Sequence, residues 1–199
     1  MNTEIKNHGI EGKKLKQALK QLFGLISEEA TMEYNIENIK KYYDDFRLYN
    51  YDNLIKQGFI ESDALFMSQI GVPYNFLGFT FFGLEEFKTC VFSDEKYIQV
   101  GIFRPHDYTS NEIYVHLGSG KVVKESENGV GFLNRDLKTF FLFHLIFFQE
   151  AKKYNLKEVE ECNTYGEEVR IKFEKIDPEA MKNSEGYWST KVEEYEEMW

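Results

Sequence analysis

The feature of the sequence that most limits its fold is a nine-residue, almost wholly apolar run, Phe140–Phe148 (FFLFHLIFF), interrupted only by His144. As a helix this run spans about 13 to 14 Å at ~1.5 Å per residue, which is far less than a bilayer core. Its apolar residues cover too broad a face for a helix that lies on the surface of a domain. The run therefore predicts a buried helix that packs across a sheet as the central helix of the core.

The first 70 residues carry a helical hydrophobic period. Two sets of apolar residues recur at three- and four-residue spacing and predict two helices, the second with Asn35 as its N-cap: Leu15, Leu19, Leu22, Phe23 and Ile26, then Ile36, Ile39, Tyr43 and Phe46. A third predicted helix covers Ser62–Ile70, with Ser62 as its cap and Gly71 as its end. Pro73 prevents the helix from resuming.

From Phe76 the hydrophobic period changes to two, which is typical of strands. This pattern predicts strands over residues 97–104, 112–117 and 121–125, and two shorter ones over 79–82 and 89–92. Gly118–Ser119–Gly120 predicts a tight hairpin, and the segment 105–111 has the composition of a turn. Because such short connections cannot make parallel crossovers, we expect an antiparallel meander.

After Asn134 the helical period returns. Asn134 or Asp136 can cap the central helix, which is expected to continue to about Tyr154. Two further helices are predicted. The first has apolar residues at Val169, Phe173 and Ile176 and is ended by Asp177–Pro178. The second lies at the C-terminus and has apolar residues at Tyr187, Trp188, Val192, Tyr195 and Met198. Helices, a meander and helices in that order predict an α+β fold. We expect residues 1–60 to form an N-terminal helical extension packed on the same core as an α+β domain over 61–199.

Charge and cysteine content restrict the partners and the compartment. The chain has 34 acidic residues against 24 Lys and Arg, a net charge of −10. Such a chain is repelled by nucleic-acid phosphates and anionic lipid, so neither is an expected partner, whereas an acidic surface attracts basic proteins. Solubility alone is the alternative reason for the charge.

Cys90 and Cys162 form no CxxC pair, and the N-terminus resembles no signal peptide, so we expect a reduced, cytoplasmic protein.

The side chains that could support catalysis are not grouped in the sequence. The candidate metal ligands are His8, His106, His116, His144, Cys90 and Cys162, and no two of them stand at helical metal-site spacing. The sequence also contains neither a nucleophile motif nor a phosphate-binding loop. We expect His144 to be a buried core histidine, because it lies on the apolar face of its helix. We expect His116 to face outward from its strand. The pair His106–Asp107 in a turn is the one catalytic alternative that remains. We therefore expect no enzyme, no metal and no cofactor.

Adjacent carboxylates recur along the chain, and most such pairs are simply solvated. They can also raise the rate of association with a cationic partner by roughly 10- to 1000-fold at low salt. We expect five acidic residues near the strands to contact a protein partner: Glu85, Glu86, Asp94, Glu95 and Asp107.

Several segments together resemble the SUKH superfamily. They are Phe66–Pro73 (FMSQIGVP), Tyr97–Phe103 (YIQVGIF), Glu112–Val122 (EIYVHLGSGKV), Gly131–Phe140 (GFLNRDLKTF) and Ile176–Trp188 (IDPEAMKNSEGYW). The last of them is similar to the ending of the fourth bacterial subgroup. The resemblance covers about Glu61 to Met198 and leaves residues 1–60 outside. Several residues at shared positions have structural roles as turns, caps and core contacts: Gly71, Pro73, Gly101, Gly118, Asn134 and Phe140.

The resemblance implies an α+β fold with an antiparallel or mixed sheet, and an immunity protein that binds and neutralises a cognate toxin of a bacterial polymorphic toxin system. The toxins of such systems are often nucleases or deaminases, and no catalytic residues accompany the family. Two alternatives remain: a regulatory protein-interaction module without a toxin partner, and an enzyme using His106 and Asp107. The oligomeric state is open.

Overall fold

The computed structural model describes residues 36–41, 45–76, 78–106, 109–126 and 129–197. All of them belong to one structural unit, Tyr34–Trp199. The helix predicted over Leu15 to Ile26 lies outside the described residues. The proposed role of residues 1–60 as an extension therefore stays a prediction.

Within these residues the strands are short at the start of the unit and long in its middle. They are β1 (Phe46–Arg47), β2 (Val72–Pro73), β3 (Asn75–Phe76), β4 (Phe79–Phe81), β5 (Lys88–Phe92), β6 (Glu95–His106), β7 (Thr109–His116), β8 (Val122–Ser126) and β9 (Gly129–Asn134). The helices are α1 (Tyr51–Gln57), α2 (Glu61–Leu65), α3 (Leu137–Ala151), α4 (Val159–Ile176), α5 (Pro178–Met181) and α6 (Tyr187–Glu196). Short 3₁₀ turns cover Ile36–Lys41 and Leu84–Glu86, and a π-helical turn, Phe66–Ile70, extends α2.

The described strands from β3 onward form a seven-stranded antiparallel sheet in the order β3-β4-β6-β7-β8-β9, and β5 also pairs with β6. The predicted meander is confirmed. Two details differ from expectation. The segment 105–111 is not all turn, since β6 runs to His106 and β7 begins at Thr109. Strand β9 was not predicted, because its sequence GVGFLN has no clear alternation and its pairing with β8 decides its conformation.

The N-terminal part of the described chain departs from the predicted helices. The pattern from Ile36 to Phe46 gives a 3₁₀ turn that ends at Lys41, and Phe46–Arg47 pairs with Val72–Pro73 as a strand. The unpredicted helix α1 is capped by Asn50, whose side chain accepts a hydrogen bond from Asn53 N at 3.0 Å.

The helix predicted over Ser62–Ile70 is present but begins differently. It starts at Glu61, so Ser62 lies inside the helix and is not its cap. Its end at Gly71 is confirmed, and that residue takes a φ of 85°, which favours glycine.

Helix α3 is the central helix of the core, as its sequence predicts. Phe140, Phe141 and Phe143 are fully buried. Phe141 packs 5.2 Å from Phe81 of the sheet, and Phe143 stacks on Phe173 of α4 at 3.8 Å between ring centroids. The helix therefore joins the inner face of the sheet to the layer formed by α4 and α6.

A buried polar network joins the end of β9 to the last helices. Asn134 accepts a hydrogen bond from Trp188 Nε1 at 2.8 Å and donates one to Asp177 Oδ2 at 3.3 Å. Asn134 is therefore not the cap of α3. That cap is Asp136, whose side chain accepts from Thr139 N at 2.6 Å.

Candidate partner-binding surface

The structure describes four of the five acidic residues predicted to contact a partner, and Asp107 lies outside the described residues. Glu85 and Glu86 are exposed in the 3₁₀ turn before β5. Glu86 Oε2 accepts a hydrogen bond from Gly83 N at 2.7 Å and lies 3.8 Å from Arg47 Nη1. Their role toward a partner stays a prediction.

Asp94 and Glu95 lie at the tip of the hairpin between β5 and β6. Ser93 and Asp94 both have positive φ, 49° and 68°. Two such residues in succession form a two-residue turn whose twist matches that of the flanking strands, and Asp tolerates this conformation. The turn places Phe92 opposite Glu95, which is exposed.

Strand β5 separates the two pairs of carboxylates. It extends from Lys88, after the 3₁₀ turn, to Phe92, just before the turn with Asp94. Its four residue steps span about 14 Å at roughly 3.4 Å each. The four acidic residues are thus not one cluster, and they form a pair at each end of this strand.

The sheet face opposite α3 carries an aromatic cluster that sequence reasoning did not single out. Its buried members are Tyr97, Tyr114 and Val123, and Cys90, Phe92 and Val130 pack against them. The Phe92 ring meets the two tyrosine rings at 5.4 and 5.1 Å, edge to face. The period-two alternation of the strands is the signal that could have revealed it. Tyr114 lies directly opposite Val123, and Tyr97 lies two residues from Gln99, the residue opposite Tyr114, so all three side chains are on one face.

Carboxylates at the margin of this cluster are held by its tyrosines. Tyr97 Oη donates to Glu95 Oε2 at 2.9 Å, and Tyr114 Oη donates to Glu112 Oε2. Burial, followed by these carboxylates, raises the pKa of both phenols. The phenols therefore remain donors at neutral pH and fix the two carboxylates at the surface.

His116 belongs to the same margin and is half-buried. Its Nδ1 lies 2.8 Å from Ser119 Oγ, and its Nε2 lies 3.7 Å from Glu95 Oε2. Across the described part of the chain, no three His, Cys, Asp or Glu residues are grouped so that they could hold a metal ion.

Two other side chains with possible chemistry, His144 in the core and the partly buried Cys90, are placed where burial perturbs their pKa. His144 is 1 % exposed and packs against Phe79, Phe140 and Trp188 at ring distances of 5.1, 4.9 and 4.7 Å. Burial lowers its pKa to about 3, so its imidazole is neutral at physiological pH. Burial also raises the pKa of Cys90, which makes that thiol a poor nucleophile.

A second acidic surface lies on α4. Glu160, Glu167 and Glu174 are exposed at seven-residue spacing, which places them on one side of the helix. Ile171, which is 64 % exposed, lies among them. This row is a second negatively charged surface, and a single exposed apolar side chain within it is ordinary for a protein surface.

Two open grooves flank Tyr187. One, of about 580 Å³, is lined by aromatic rings of β6, α3 and α6 together with Arg104 and Lys191. The other, of about 650 Å³, lies between β8, β9 and α5 and carries Lys124 and Lys182. The first groove is also lined by His144 and Glu194, and the burial that lowers the pKa of His144 keeps its imidazole neutral there. Among the described helices, none has both the length and the apolar character needed to cross a bilayer.

A protein-family model described as SUKH-4 immunity protein matches residues 53–194, from within α1 to the last turns of α6. No curated protein and no solved structure matches the chain.

Proposed function

The chain belongs to the SUKH-4 immunity protein family, and we propose that it binds and neutralises a cognate toxin of a bacterial polymorphic toxin system. The family match over residues 53–194 is the observation that carries this proposal. The matched region contains the seven-stranded sheet, α3, α4 and most of α6, so it includes most of the core of the described unit; the buried Ile39 and Tyr49 precede it.

We further propose that the toxin domain is basic, as nuclease and deaminase domains that act on nucleic acid are. The net charge of −10 supports this partner, because a negative field steers a cationic protein toward the surface. Exposed carboxylates at both ends of β5 and along α4 supply that field locally.

Neutralisation in this proposal proceeds by occlusion of the toxin, without bond-making by the chain. The buried, neutral His144 and the thiol of Cys90 with its raised pKa support that mode, since neither is suited to proton transfer or nucleophilic attack at neutral pH.

Co-expression with the toxin gene beside its own gene tests the proposal. Cells that carry the toxin alone should die, and cells that carry both should grow and yield a complex of the two proteins. Continued killing, with this chain folded and expressed, would remove the proposed function.

Charge reversal tests which acidic surface contributes. Glu85→Lys should slow association with the toxin at low salt more than at high salt. Glu160→Lys is the matched control, because it changes the net charge equally on α4. Equal slowing by the two variants would assign the effect to overall charge.

A further inference from the structure

Strand β5 is an edge strand of the sheet. Of the strands that the structure describes, only β6 pairs with it, from Lys88 opposite Gln99 to Phe92 opposite Glu95. One side of its backbone therefore has no strand partner in the described part of the chain. A free edge is a template on which an extended segment of another protein can form the next strand.

The hairpin geometry identifies the outward-facing backbone groups. In a two-residue hairpin the flanking pair is hydrogen-bonded, so Phe92 and Cys90 direct their N–H and C=O groups toward β6. Thr89 and Val91 alternate with them and direct theirs outward. The hydrogen bond from Leu117 N to Lys96 O at 2.9 Å agrees, because it shows that Lys96, opposite Val91, turns its carbonyl toward β7.

The side chains of these two positions leave the edge open. Thr89 is exposed, and Val91 is 61 % exposed. Both residue types favour extended backbone. Cys90 and Phe92 pack into the aromatic cluster on the other face, so the strand is held in its extended form before any partner arrives.

Charge at the ends of the strand selects the partner. Glu85 and Glu86 precede the edge, and Asp94 and Glu95 follow it. A second copy paired antiparallel along β5 would bring the carboxylates of one copy against those of the other, and like charges in register repel. A segment with Lys or Arg near both of its ends would instead find a carboxylate pair at each end.

We propose that β5 is the docking edge for the toxin, and that an extended, positively charged segment of the toxin adds to the sheet beside Thr89 and Val91. This inference rests on the proposed immunity function and specifies how the partner is held. Backbone hydrogen bonds between β5 and the added strand hold the toxin, and the two carboxylate pairs make the site selective for a positively charged strand.

Val91→Pro tests the edge in the full-length chain. Proline removes the outward N–H of residue 91 but no bond to β6, and edge strands tolerate it there. We expect toxin binding to weaken by at least about tenfold. Val91→Ala is the matched control, since it loses the side chain but keeps the N–H, and it should bind within a fewfold of the parent.

Amide hydrogen exchange of the complex supplies the direct readout. Binding should protect the amides of Thr89 and Val91, and Val91→Pro should unfold at the same temperature as the parent within a few degrees. If proline disrupts folding, the double variant Glu85→Gln/Asp94→Asn is used instead. It should slow association with the toxin and make the association rate less dependent on salt.

The outcomes separate the two ideas. Full neutralisation by Val91→Pro, or a complex in which the amides of Thr89 and Val91 exchange as fast as in the free protein, overturns the docking edge and leaves the immunity function in place. A parent chain that neutralises no toxin overturns the immunity function itself.

Discussion

Asp63 provides the sharpest test of the energetics of this fold, because its carboxyl group is buried and no cation among the described residues compensates its charge. It is 1 % exposed, and its Oδ1 accepts a hydrogen bond from Leu137 N at 3.4 Å. Its Oδ2 has no hydrogen-bond partner among the described residues and packs beside Gly120. Burial, followed by the charge of Asp136, raises the pKa of Asp63 well above its usual value.

The raised pKa determines the sign of the pH dependence. The folded chain holds a proton on Asp63 that the unfolded chain has lost above about pH 3.9. The contribution of this group to folding is therefore complete below that pH, and it is lost as the pH rises toward the pKa of the folded state. The loss is about 1.4 kcal/mol per pH unit.

Asp63→Asn removes the ionisation and keeps the shape of the side chain. We expect the variant and the parent to be nearly equal in stability at pH 4. Above pH 4 the variant should become more stable by about 1.4 kcal/mol per pH unit, up to the pKa of the folded state. This corresponds to roughly 3 to 6 °C in Tm per pH unit for a chain of this size.

Urea unfolding of both proteins from pH 4 to pH 8 measures this difference. Asp136→Asn is the matched control, because Asn still caps α3 and only the charge near Asp63 is lost. In that background the difference should level off at a lower pH. A variant that is less stable than the parent by the same amount at every pH would refute the reasoning, since Asp63 would then act as an ionised cap.

Three further predictions follow from contacts in the core. Gly101→Ala should cost about 3 kcal/mol in urea unfolding, because its Cβ would overlap the carbonyl of Thr80, a backbone group that cannot rotate away. Trp188→Phe should cost about 1 to 3 kcal/mol, since it leaves the buried Asn134 Oδ1 without its donor. The imidazole of His144 should stay neutral in NMR titrations down to about pH 3. Its contribution to stability, complete above about pH 6.5, should be lost as the pH falls.

Each of these predictions has a control. Gly118→Ala should be nearly neutral, because its Cβ would meet only the His116 ring at 3.0 Å, and that side chain can move. Asn134→Ala should reduce the additional cost of Trp188→Phe, and strict additivity of the two changes would contradict a direct bond. A His144 ring that titrates near pH 6.5 would show that the residue is solvated.

The sequence was sufficient for the elements with a strong hydrophobic period. The alternation over 97–104 and 112–117 predicted β6 and β7, and the apolar run of α3 predicted its place at the centre of the core. These predictions succeed because the period of a helix or strand follows from its local geometry. Strand β9 and the pairing of Phe46–Arg47 with Val72–Pro73 depend on a distant partner, which no local pattern encodes.

By itself the sequence determined the fold class, the negative field and the family resemblance, because composition, periodicity and motif order are properties of the chain alone. Tertiary structure alone decided which residues share a surface. It placed Glu85 and Glu86 at one end of β5 and Asp94 and Glu95 at the other, joined Tyr97 and Tyr114 in one cluster, and left the outer side of β5 without a strand partner among the described residues. The reason is that strand order and register bring together residues far apart in the chain, and neither can be computed from local spacing.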